Sequence, residues 1–117
     1  MPVRSLTSSV LNWPDGTAVD AAARRWAERQ RTLHPELLRL GYFGSYARGD
    51  WGVGSDLDLI AIVTGSESSF ADRPSGWDLT DLPVPAEILV YSEAEWQRLQ
   101  QGGGRFATSI RNEAVWL

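Results

Sequence analysis

Two aspartates one residue apart, Asp56 and Asp58, stand at the mouth of an apolar run that ends at Val63. On an extended strand, residues two apart point the same way. Asp56 and Asp58 therefore share a face, and Leu57, Leu59, Ala61 and Val63 share the other. Carboxylates this close repel unless a cation lies between them, which favours a divalent metal as the partner. With no histidine or cysteine nearby, an oxygen-only ligand set suits magnesium or manganese better than zinc. A lone D-x-D is common, and by itself it also fits a turn with solvated aspartates.

Two further features add weight to the metal reading. Glu87 is the one acidic residue inside a later apolar run, between Pro85-Ala86 and Ile88-Leu89-Val90. An unpaired charge buried among such neighbours is costly, so Glu87 is expected to meet Asp56 and Asp58 as a third carboxylate. The alternative is an edge position with its side chain in water. The second feature is Gly44-Ser45, directly after the run Leu37 to Phe43. Glycine lets backbone approach a ligand, and a turn after it aims N–H groups outward, a corner suited to phosphate. Arg48 can contact the same phosphate or pair with Asp50. No G-K-[ST] or G-x-G-x-x-G follows, so this is neither a P-loop nor a dinucleotide fingerprint.

Gly44-Ser45, ten residues, then Asp56-Leu57-Asp58 resembles the G-S-x10-D-x-D signature of minimal nucleotidyltransferases in the DNA polymerase β-like superfamily. The resemblance covers most of the chain. It implies transfer of a nucleoside monophosphate, AMP from ATP, to a hydroxyl on a protein or RNA, with two magnesium ions (or manganese) and release of pyrophosphate. It makes Asp56, Asp58 and Glu87 both catalytic and metal-binding, and Gly44, Ser45, Arg48 and Ser55 nucleotide-binding. The family's third carboxylate is usually aspartate, so Glu87 is a departure. Small relatives often act as antitoxins beside HEPN-domain toxins, which implies a protein partner; a homo-oligomer also fits. The alternative function is a nucleotide-binding or partner-neutralising module with weak catalysis.

Other candidates carry less. His34, the sole histidine, precedes Pro35 at a helix end and reads as a surface or capping residue. Trp51 can stack on a base or pack at the rim. Gly102 to Gly104 read as a helix terminator.

The elements that must position these residues are legible in outline. Val19, Ala22, Ala23, Trp26 and Leu33 recur at helical spacing, with Thr17 and Asp20 as the expected capping box, and His34-Pro35 as the end. Strands are expected at Leu37–Phe43, Asp56–Val63 and Pro85–Ser92, with one helical turn at Ser45–Arg48. The polar stretch from Thr64 to Leu82 reads as a functional or mobile loop with a short helix. Ser92 and Glu95 form a second capping box, and residues 106–117 a helix or turn and a final short strand. The pattern implies an α/β (α+β) fold, a small mixed β-sheet flanked by helices, in one domain spanning residues 1–117.

Bulk composition is that of an ordinary globular protein. All eleven basic side chains are arginine, which excludes a lysine Schiff base. A net charge of −4 argues against general DNA or RNA coating. No apolar run has the length of a membrane span, residues 1–16 show no apolar leader segment, and cysteine is absent. A cytoplasmic location is expected, and the first thirteen residues are expected to be β-prone or irregular.

Overall fold

A computed structural model of the protein describes residues 13–117; the expectation for the first twelve lies outside them. Helix α1 spans Gly16–Leu33, strand β1 Leu37–Phe43, the single turn α2 Ser45–Arg48 and strand β2 Leu57–Val63. A 3-10 turn follows at Arg73–Gly76, then strand β3 at Ala86–Ser92, helices α3 at Glu93–Gly102 and α4 at Arg105–Glu113, and strand β4 at Val115–Trp116. The sheet order is β3-β2-β1-β4. Strand β1 runs antiparallel to β2 and to β4, and β2 runs parallel to β3.

Strand β2 is central, and six of its seven residues are buried, all but Asp58. A strand covered on both faces reads as a continuous apolar run, and Leu57 to Val63 does. One face carries Leu57, Leu59, Ala61 and Val63 against Val19, Ala23 and Trp26 of α1 and against Trp77, Leu82 and Val84 of the long β2–β3 connection. The other carries Ile60 and Ile62 against Trp96 of α3 and Ile110 of α4. Both apolar faces of the sheet are thereby removed from water, the main favourable term in folding.

Helix α1 starts differently from expectation. Its N-cap is Asp15, whose side chain accepts from the Ala18 N–H at 2.8 Å. Asp20 is inside the helix, where it accepts from the Tyr42 hydroxyl at 2.7 Å and from Arg24 Nε at 2.8 Å. Burial and the Asp20 hydrogen bond push the Tyr42 hydroxyl up to about 12, so the phenol stays protonated and holds α1 to β1.

The long connection 64–85 leaves residues 64–72 exposed and packs over the sheet in its second half. Trp77 and Leu82 are buried in it, and Trp26 Nε1 donates to the Asp78 carbonyl at 2.8 Å. Arg73 pins it to the sheet, donating through Nη1 to the Val90 carbonyl at 3.0 Å and to Glu95 Oε1 at 2.6 Å, and through Nη2 to Glu95 Oε2 at 3.2 Å. Glu95 also accepts from the Ser92 N–H at 2.8 Å, completing the expected capping box.

The Arg73 guanidinium, with the Ser92 hydrogen bonds, holds the Glu95 carboxyl down at about 2. A carboxylate held below its ordinary value adds stability above that value and loses it as pH falls towards the folded one. Glu95→Gln should cost about 1–3 kcal/mol at neutral pH, since it strips the Arg73 side chain, only 9% exposed, of its counter-ion. Urea titrations should show the gap to the unmodified protein shrinking between about pH 4.5 and pH 2. A gap that does not change with pH would exclude the ion pair as its cause.

Candidate active site

The site lies where β1 ends, β2 begins and β3 begins. Pairing brings Phe43 opposite Asp58 and Asp58 beside Glu87, so one row of the sheet runs Phe43, Asp58, Glu87 on one face. Like charges in adjacent strands repel, and the effect is visible in Asp58. Burial, then the negative charges of Glu87 and Asp56, push its carboxyl above the ordinary aspartate value, while Arg48 pulls it down. No hydrogen-bond donor among the described residues reaches that carboxylate; the pairs around it join Arg48 to Asp50 and Arg48 and Gly44 to Glu113.

Two sequence expectations need correction. Strand β2 starts at Leu57, one residue later than expected, so Asp56 stands just before it, after the turn at Val53-Gly54. Glu87 is exposed on an edge strand, so burial is not what calls for a partner; its register beside Asp58 is.

Gly44 carries the sharpest local requirement. Its φ of 76° and ψ of −152° fall in a region that is essentially glycine-only. A Cβ there would collide with Asp58 Oδ2 and lie 3.2 Å from its Cγ. The glycine therefore lets the turn close directly over the half-buried Asp58 carboxylate. Ser45 opens α2, where the first backbone N–H groups have no intrahelical acceptor. Its carbonyl accepts from the Gly49 N–H at 2.9 Å and the Asp50 N–H at 3.1 Å, which folds the glycine-rich loop back. Ser55 spends its hydroxyl on that loop, accepting from the Gly52 N–H at 2.8 Å.

Arg48 is exposed and points back at the site, with Nε donating to Asp50 at 3.0 Å and Nη1 to Glu113 Oε1 at 3.3 Å. Glu113 was not legible from spacing, because α4 returns it to the site from 65 residues away in the chain. The weaker candidates are structural. Trp51 stacks on Tyr46, with ring centroids 5.6 Å apart. His34 stacks on Trp77 at 3.8 Å and lies 2.9 Å from Glu36 Oε1. Gly103, in the left-handed conformation, terminates α3.

A divalent cation matches the donors in kind: three carboxylates, one of them half-buried, repelled by the others and without a donor. Among the described residues, no three ligating side chains form a group closed enough to hold a metal ion.

The model of the nucleotidyltransferase domain family matches residues 23–117. A crystal structure of a candidate nucleotidyltransferase from Sulfolobus solfataricus superposes with a TM-score of 0.61 at 20% identity, covering 86% of this chain and 80% of that one. At that identity the likeness concerns the fold. A search of curated proteins finds no match. The family match spans the corner at Gly44, the Asp58–Glu87 row and the helix that carries Glu113, and on it the chain belongs to the nucleotidyltransferase domain family.

Proposed function

We propose that residues 1–117 act as one minimal domain that transfers AMP from ATP to a hydroxyl of a protein or RNA, releasing pyrophosphate. The observation that carries this is Asp58, half-buried directly beneath the Gly44 turn and raised by that burial and then by Glu87 and Asp56. It supports one site with a phosphate side and a carboxylate side. The single sheet, covered on both faces, supports the one-domain reading.

Asp56, Asp58 and Glu87 would hold two magnesium ions, with manganese as a substitute. Such ions neutralise charge on the transferring phosphoryl group and on the attacking and leaving oxygens. Gly44, Ser45 and Arg48 orient the triphosphate through backbone N–H groups and a guanidinium. Ser55 acts through the loop, holding Gly52 and so the turn before Asp56. Glu87, exposed beside Asp58, takes the proton of the acceptor hydroxyl. That oxygen bonds to the α-phosphorus as the bond from the α-phosphorus to the bridging oxygen breaks, and pyrophosphate carries away the electron pair.

Arg48, Asp56 and Glu87 are exposed, which supports an acceptor presented to the site by a protein partner. A HEPN-domain toxin is such a partner, and the domain would then serve as its antitoxin. The openness of the three carboxylates favours a second reading, a nucleotide-binding module that neutralises its partner by contact. The deciding experiment incubates the protein with magnesium, labelled ATP and a co-purified or co-encoded partner. Pyrophosphate release with label on the partner or its RNA supports transfer; tight binding with neither supports the second reading.

A further inference from the structure

Glu113 occupies a place that its position in α4 makes costly. It is the last residue of the helix, where the partial negative end disfavours a carboxylate. It is only 20% exposed, and it adds a negative charge at the Gly44 corner. Docking of α4 does not call for it, since Ala107 and Ile110 are the residues that the helix buries. Its Oε1 nevertheless accepts from the Gly44 N–H at 3.2 Å and from Arg48 Nη1 at 3.3 Å. One carboxylate oxygen therefore takes two of the donors that the proposed function gives to the triphosphate.

A carboxylate oxygen and a phosphate oxygen accept the same charge-assisted hydrogen bonds. We infer that Glu113 is a tethered anion that fills the phosphate position on Gly44 and Arg48 and is displaced when nucleotide binds. The inference rests on the nucleotide-binding reading of those two residues. Glu113 keeps the Gly44 N–H and the Arg48 guanidinium paired and aimed between turnovers, so the corner stays preformed. It also sets a threshold, because an incoming anion must outcompete an acceptor already held in place. A polyphosphate, with many oxygens and more charge, meets that threshold better than inorganic phosphate does. The side chain leaves from the end of a helix, so it can swing to solvent without disturbing the sheet.

The test is calorimetric titration of the full chain with magnesium-ATP, and with inorganic tripolyphosphate in the presence of chelator. The chain is compared with Glu113→Gln, which removes the charge, and Glu113→Asp, which keeps the charge on an arm too short for both donors. Both variants should bind both probes about tenfold more tightly, with thermal melting verifying that they fold. Tightening by Glu113→Gln alone would point to charge at a distance and overturn the inference. Equal or weaker binding by both variants would also overturn it, making Glu113 a residue that positions the donors for substrate. If no form binds either probe, the nucleotide reading itself fails and takes the inference with it; binding without tightening sinks the inference alone.

Discussion

Asp58→Asn should abolish metal-dependent nucleotidyl transfer and leave the protein at least as stable as before. The two halves have one cause. Asp58 is the half-buried member of the carboxylate group, raised by burial and by Glu87 and Asp56. A carboxyl raised in the fold stabilises the protein only when protonated, and its contribution is lost as pH rises through the folded value. At neutral pH without metal, the charged Asp58 is thus a burden on the fold, and the isosteric amide removes it. The same charge is what would hold a divalent ion against the phosphoryl group, an interaction of several kcal/mol in the transition state. At about 1.4 kcal/mol per tenfold, activity should fall roughly a thousandfold or more. Melting with and without magnesium separates the effects: the unmodified protein should gain stability from the ion by mass action, and the variant should not. A variant that keeps its activity, or that gains as much from magnesium, would remove Asp58 from the site.

Legibility followed the range of the interactions. Strand β1 and the turn at α2 match the expected residues end to end, because an apolar run and a glycine boundary are local signals. The Ser92–Glu95 box was equally plain, since both partners lie within one turn. The start of α1 went to Asp15 rather than Thr17, because two nearby side chains could cap and Asp20 had a better use at Tyr42. Two kinds of information lay beyond pattern. The order of 64–85 depends on Arg73 reaching Glu95 and on Trp77 reaching α1, both set by how the chain returns. The composition of the site likewise depends on topology. Asp58 and Glu87 become neighbours because β2 and β3 pair in parallel, and Glu113 joins Arg48 because α4 leads back to the edge beside β1. The motif proposes a site, and the sheet decides what surrounds it.

Gly44→Ala should be the most damaging single-methyl change at the site. The expected loss is about 2–4 kcal/mol of stability, together with loss of nucleotide binding. Part of the cost is conformational, because φ 76° with ψ −152° costs a residue with a Cβ roughly 1–3 kcal/mol. The rest is steric, because the new methyl falls on the Asp58 carboxylate. Asp58 can turn away only by leaving its place beside Glu87, and the backbone can relieve the strain only by opening the corner. Either escape separates the Gly44 N–H from the carboxylates, so function suffers even in molecules that fold. The neighbouring glycines give the control. Gly49 also has a positive φ, 84°, but no atom lies within 4 Å of where its Cβ would stand. Gly49→Ala should therefore pay the backbone strain of a left-handed residue, about 1 kcal/mol, without the collision, and keep its affinity for magnesium-ATP. Denaturant midpoints and calorimetric affinities of the two variants, measured side by side, check this. Equal losses in both would mean that strain alone matters at Gly44. A larger loss at Gly44, with binding lost only there, would show that the close approach of backbone to Asp58 is what the glycine is for.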